Sequence, residues 1–108
     1  MKSTLIINER TGLTEEELGV ITSTISLFPE IEKVFIFGSR AKGNYKRGSD
    51  IDLAVSGDNV TYSMINQLAY KLNEESLLPY YFDLLHLEKI SSEALLEHIK
   101  KHGIELEI

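Results

Sequence analysis

Residues 33–55 read KVFIFGSRAKGNYKRGSDIDLAV, and this segment constrains the fold more than any other. A short apolar, aromatic run stops at Gly38, which predicts a buried strand ending in a turn. After a basic, glycine-punctuated stretch, DIDLAVS alternates acidic and apolar residues before Gly57, which predicts a second strand. Successive side chains of a strand point to opposite faces. Asp50 and Asp52 therefore point one way, and Ile51, Leu53 and Val55 point the other way, into a core. Two carboxylates side by side repel and raise each other's pKa, a cost that a hard divalent cation removes. Mg²⁺ takes oxygen ligands, keeps several waters, and is commonly held by one or two carboxylates plus substrate phosphates. Taken alone, Asp-Ile-Asp is also what a surface strand with its polar residues outward looks like.

Gly38 and Ser39 narrow the choice. Glycine permits a tight turn and a close approach of backbone to ligand. Amides where a strand passes into a helical turn point at an anion, and the Ser39 hydroxyl adds a donor. A plain turn is the other reading of the same two residues. A Walker A loop is excluded, because Asn44 of GSRAKGN stands where that motif needs lysine, and no Rossmann fingerprint is present. Charge is distributed to match a compact anion. Arg40, Lys42, Lys46 and Arg47 lie beside Asp50 and Asp52, while the rest of the chain carries 7 basic against 15 acidic residues. A net charge of −6 argues against a broad nucleic-acid-binding surface. No apolar run approaches the roughly 18 residues of a membrane span. The opening MKSTLIINER is too short in its apolar part for an export signal, which favours the cytoplasm. Without cysteine there is neither a disulfide framework nor a thiolate metal site.

The remaining segments predict helices around a small sheet. TEEELGVITSTISLF reads as a helix opened by a Thr14–Glu17 capping box, with Leu18, Ile21, Ile25 and Phe28 on one face. TYSMINQLAYKLNEES reads as a helix with Ile65, Leu68, Ala69 and Leu72 inward and a solvated NEES end. YYFDLLHL reads as a third strand, with Tyr80 and Tyr81 as packing residues. ISSEALLEHIKKHG reads as a helix capped by Ser91, stapled by Ile90 and Leu95, and closed by Gly103, before a short strand in IELEI. His98 and His102 are expected on that helix's surface. The fold class is α/β (α+β), a small mixed β-sheet flanked by helices, in a single domain of residues 1–108.

Asp83 sits in the third strand among Tyr81, Phe82, Leu84 and Leu85, where a buried carboxylate needs a partner or a metal. An edge-strand aspartate is the plainer alternative. If this strand neighbours the Asp50–Asp52 strand, three carboxylates face one site, which suits two-metal phosphoryl chemistry.

Gly38-Ser39, then Asp50-Ile51-Asp52-Leu53, then Asp83 in an apolar strand resemble the nucleotidyltransferase superfamily that includes DNA polymerase beta and kanamycin nucleotidyltransferase. The form GSRAKGNYKRGSDIDLAV is similar to the minimal nucleotidyltransferases (MNT) of prokaryotes, and the likeness covers nearly all the chain after residue 13. The resemblance implies a polymerase beta palm-like fold and Mg²⁺- or Mn²⁺-dependent transfer of AMP from ATP with release of pyrophosphate. Carried over by position, Gly38 and Ser39 hold the triphosphate, Asp50 and Asp52 bind metal, and Asp83 is a metal ligand or general base. Ser49 contacts phosphate or the loop, and Arg40 and Lys42 are weaker phosphate candidates, for which a solvated loop face is an equal reading. The resemblance also implies a partner, because larger members carry an acceptor-binding domain for which 108 residues leave no room. Minimal members occur as antitoxins beside HEPN-domain ribonuclease toxins and transfer AMP to a toxin tyrosine. A non-catalytic module that caps a partner, and a small-molecule nucleotidyltransferase, are the competing functions.

Overall fold

In the computed structural model, which describes residues 4–108, the chain opens with a helix that the sequence pattern does not announce, α1 (Thr4–Thr11). TLIINERT has no apolar stripe of helical period. Ile7 is nevertheless buried, and the buried Thr11 hydroxyl donates to Ile7 O at 2.6 Å. Residues 1–3 of the opening decapeptide lie outside the described residues.

Helix α2 (Glu15–Ile25) starts where its capping box predicts. The Thr14 amide donates to Glu17 Oε1 at 2.9 Å and the Glu17 amide donates to Thr14 Oγ1 at 3.1 Å, satisfying two donors that a helix start leaves open. Strand β1 (Lys33–Phe37) leads through the one-turn helix α3 (Ser39–Lys42) and a loop into β2 (Ile51–Ser56). Helix α4 (Tyr62–Tyr70), capped by Thr61, widens into a π-helical turn over Lys71–Glu75. Strand β3 (Phe82–His86), a 3₁₀ turn (Leu87–Lys89), α5 (Glu93–His102) and the two-residue β4 (Ile104–Glu105) complete the chain.

The strands form one mixed sheet in the order β3-β2-β1-β4, with β1 antiparallel to both neighbours and β2 parallel to β3. This is the α+β arrangement that the order of elements predicts. On one face Val34, Ile36, Ile51, Leu53, Val55 and Phe82 pack under Leu18, Ile21 and Ile25 of α2 and Ile65 and Leu68 of α4. Each such side chain contributes about 1.5–3 kcal/mol by leaving water. On the other face Phe37 and Ala54 meet Ile99 of α5, with Phe35, Leu85, Ile90 and Leu95 around them.

The π-helical turn has a consequence for the sheet edge. It brings Asn73 against β3, where Asn73 Oδ1 accepts the Phe82 amide at 2.7 Å and Asn73 Nδ2 donates to Phe82 O at 3.0 Å. One side-chain amide thus replaces a neighbouring strand beside Asp83, so the NEES end is not simply solvated. Two further expectations shift. Ser92, not Ser91, caps α5 by accepting the Leu95 amide at 3.2 Å, although Ile90 and Leu95 still share a cluster. Tyr81 is 60% exposed, whereas Tyr80 packs against the core.

Candidate active site

β1 ends at Phe37, and Gly38 turns the chain with φ +75° and ψ −154°, a backbone conformation open to glycine. Space gives a second reason for glycine: a Cβ at this position would collide with the Asp52 carboxylate. Ser39 follows, half-buried, in the first turn of α3, which closes when the Gly43 amide reaches Ser39 O at 2.9 Å. The Asp52 carboxylate therefore fills the space that a side chain at position 38 would take.

The register of β2 and β3 pairs Asp52 with Asp83 directly, and parallel neighbours place both side chains on the α5 face of the sheet. Asp83 is exposed, not buried as its apolar neighbours suggested, because it lies on the part of that face not covered by α5. Asp50 sits just before β2 and is exposed. Burial first, and then the charges of Asp83 and Asp50, push the Asp52 carboxyl up to about 6. A carboxylate held against its own charge by two more carboxylates is a natural cation ligand. Among the described residues no three His, Cys, Asp or Glu side chains form a ready-made metal cage. The Asp52 and Asp83 carboxylates are oxygen donors on one open face, a donor set that fits Mg²⁺, an ion that leaves most of its shell to water and substrate phosphates.

The loop between α3 and β2 is built by Ser49 and by Arg40. Ser49 Oγ accepts the Lys46 amide at 2.7 Å, and the Ser49 amide donates to Lys46 O at 2.9 Å. Ser49 therefore contacts the loop. Arg40 departs from its expected place. It is 2% exposed, its Nε donates to Ser49 O at 3.1 Å and its Nη1 donates to Thr11 O at 2.8 Å. Its guanidinium lies 5.0 Å from the Tyr45 ring centroid and 4.7 Å from that of Tyr80. A buried guanidinium needs acceptors and aromatic faces, and these occupy it. Arg40 thus ties α1 to the backbone just before Asp50 and is not a solvated phosphate ligand. Lys42, Lys46 and Arg47 are exposed.

His98, expected on the surface of its helix, reaches the turn at Gly38. It is half-buried on α5, and its Nε2 accepts the Gly38 amide at 2.8 Å. Its spacing of three from Leu95, which borders the apolar stripe, is the signal that places it near the sheet. A groove on the outer face of α4, lined by Tyr62, Asn66 and Tyr70, contains none of these residues and no convergent carboxylates.

Comparison with known proteins agrees with this geometry. The family described as Polymerase beta, Nucleotidyltransferase matches residues 20–107. The Haemophilus influenzae protein named "Probable protein adenylyltransferase MntA" is 32% identical over 73 residues, and the match spans 68% of this chain and 64% of that relative, less than two thirds of its length. A chain from a crystal structure of a toxin–antitoxin with AMP-PNP is 28% identical, with TM-score 0.69, covering 83% of this chain and 72% of that one. A chain from a structure of tri-AMPylated Shewanella oneidensis HEPN toxin in complex with MNT antitoxin is 26% identical, with TM-score 0.58, covering 82% and 69%.

Proposed function

The chain belongs to the polymerase beta nucleotidyltransferase family, and from that premise we propose that it transfers AMP from ATP to a protein hydroxyl as the antitoxin of a HEPN-type toxin. The observation that carries this reading is the in-register pair Asp52–Asp83, with the Asp52 carboxylate against the bare Cα of Gly38. That contact puts the residues suited to a metal beside the turn suited to a triphosphate. A bound Mg²⁺ or Mn²⁺, held by Asp50, Asp52 and Asp83, would neutralise phosphate charge and polarise the phosphoryl oxygens.

The chain's own residues do the rest. The turn after Gly38 and the Ser39 hydroxyl orient the triphosphate, with Lys42 within the same short helix as a further cation. Ser49 and Arg40 fix the loop from which Asp50 projects. The acceptor oxygen bonds to the α-phosphorus, the bond from that phosphorus to the bridging oxygen breaks, and pyrophosphate leaves. Asp83, the exposed member of the pair, takes the hydroxyl proton. We take residues 1–108 as one minimal domain acting in the cytoplasm. No helix among the described residues is long and apolar enough to cross a membrane. The toxin supplies the acceptor hydroxyl, by analogy with the HEPN toxin found AMPylated in complex with an MNT antitoxin, and the family resemblance makes a tyrosine the acceptor. The test is to incubate the chain with proteins encoded beside it, Mg²⁺ and ATP labelled at the α-phosphate. Label should move onto one partner; no transfer to any protein of its own locus would sink the proposal.

A further inference from the structure

Strand alternation sends every second amide of β1 to the same edge. Val34 faces β4, since its carbonyl accepts the Leu106 amide at 2.9 Å. Gly38 points its N–H to that edge as well, but β4 begins at Ile104, opposite Ile36. Among the described residues no strand lies beyond Ile36 on that edge to receive the amide. The His98 ring stands in that place and accepts it at 2.8 Å, across 60 positions of sequence. An accepting Nε2 carries no proton, so the ring is neutral with its proton on Nδ1. The ring is also fixed by packing: it stands edge-on to Phe37, with centroids 6.2 Å apart and planes at 76°.

From this geometry we propose that His98 is a positioning residue for the nucleotide turn. By holding the Gly38 amide it keeps the backbone in the positive-φ, extended conformation that brings Gly38 against Asp52, and it leaves Ser39 to face the phosphates. Helix α5 is then part of the site, not only a cover for the sheet. This rests on the reading of Gly38–Ser39 as the triphosphate turn.

Two substitutions separate the acceptor from the packing. His98→Gln keeps an acceptor near the place of Nε2 and loses the aromatic edge. His98→Phe keeps the ring against Phe37 and loses the acceptor. Loss of one hydrogen bond at a positioned turn should raise both the KM for ATP and its Kd, measured by calorimetry without acceptor, about five- to tenfold in His98→Phe. His98→Gln should stay within about twofold of the parent, and kcat should change less than KM in either variant. The reverse pattern, with Phe tolerated and Gln impaired, makes His98 a packing residue and overturns the proposal, as do two variants that both bind ATP like the parent. If either variant fails to fold, nitrogen-15 NMR of the parent's histidines at about pH 8 decides. The proton must sit on Nδ1 of His98; a proton on Nε2 overturns the proposal. A parent protein that binds no ATP removes the triphosphate-turn reading itself. A parent that binds and transfers while His98→Phe is unaffected removes only the role of His98.

Discussion

The two faces of the sheet are made by the same strands and differ in almost everything else. The face under α2 and α4 is closed and apolar, with Val34, Ile36, Ile51, Leu53 and Val55 all fully buried. The face under α5 is apolar at one end, around Phe37, Ala54 and Ile99, and carries Asp52 and Asp83 where the cover stops. Because strand side chains alternate, neighbours one residue apart belong to different physical regimes. Leu53 stabilises the fold and gains nothing from a ligand. Asp52 costs stability in the free protein and acquires its use from a ligand's charge. Stability and chemistry are thus separated by the thickness of a sheet.

The sharpest way to break this separation is to change the two neighbours. Asp52→Asn keeps the shape and removes the charge. AMP transfer should fall by about two to four orders of magnitude, since a metal contributes several kcal/mol and each 1.36 kcal/mol is tenfold. The melting temperature without metal should hold or rise, because a repelled carboxylate is gone. Leu53→Ala should do the opposite, lowering stability by about 2–5 kcal/mol in chemical denaturation while transfer per folded molecule stays near that of the parent. Equal losses of transfer in both variants, at a temperature where both are folded, would erase the distinction between the faces.

How much of this the sequence shows depends on the range of the interaction that decides each feature. The alternation of DIDLAVS places Asp52 and Leu53 on opposite faces from three residues, and the Thr14–Glu17 box forms from spacing alone. Asp52 and Asp83 could be brought together only conditionally, because which strand neighbours which is a property of the whole chain. The burial of Arg40 is hidden for the same reason: in a basic loop it looks solvated, and its partners Tyr80 and Thr11 come from distant segments. His98 and Asn73 are in the same position, each matched to a backbone group by the fold. Helix α1 has no such signal, because nothing in TLIINERT repeats at the helical period.

Two residues at the border between the faces sharpen the comparison further. Gly38→Ala must place a Cβ into the Asp52 carboxylate at a positive φ, a strain of about 1–3 kcal/mol. It should weaken ATP binding more than it lowers the melting temperature, since the turn can open at the site's expense without disturbing the closed face. Arg40→Met fills similar space but leaves Thr11 O and Ser49 O without their donor, a loss of about 1–3 kcal/mol in unfolding measurements. Part of that loss should appear as a raised Mg²⁺ requirement, because the Ser49 carbonyl adjoins Asp50. A variant less stable but unchanged in its Mg²⁺ dependence would confine Arg40 to the fold.

The smallest expected effect is on the pH dependence of stability, and its sign tests the electrostatic account of the acidic face. Burial, then Asp83 and Asp50, raise Asp52 from 3.8 to about 6 in the folded chain. Between those values the folded state binds more protons than the unfolded one, so stability falls as pH rises. The contribution of Asp52 is fully present below about pH 4 and is lost by the time pH has passed about 6. Two pH units correspond to nearly 3 kcal/mol, but this carboxylate is only partly buried, and solvent screening reduces the expected effect to about 1 kcal/mol. Glu17 and Glu88 run the other way. Burial alone would raise them, but hydrogen bonds, from Thr14 and Tyr80 to Glu17 and from Ser56 and Gly57 to Glu88, outweigh it and hold both carboxyls low. Their stabilisation is lost on acidification, so the parent's total profile mixes both signs. Subtracting the profile of Asp52→Asn from that of the parent isolates Asp52: without metal, the parent should lose ground to the variant as pH rises from about 4 to about 7. Mg²⁺ with ATP should reverse the trend, because a cation favours the ionised carboxylate, and the added stability should vanish as pH falls through about 6. A difference profile that is flat in both conditions would mean that Asp52 feels neither its neighbours nor a metal, and the acidic face would then be only a polar edge of the sheet.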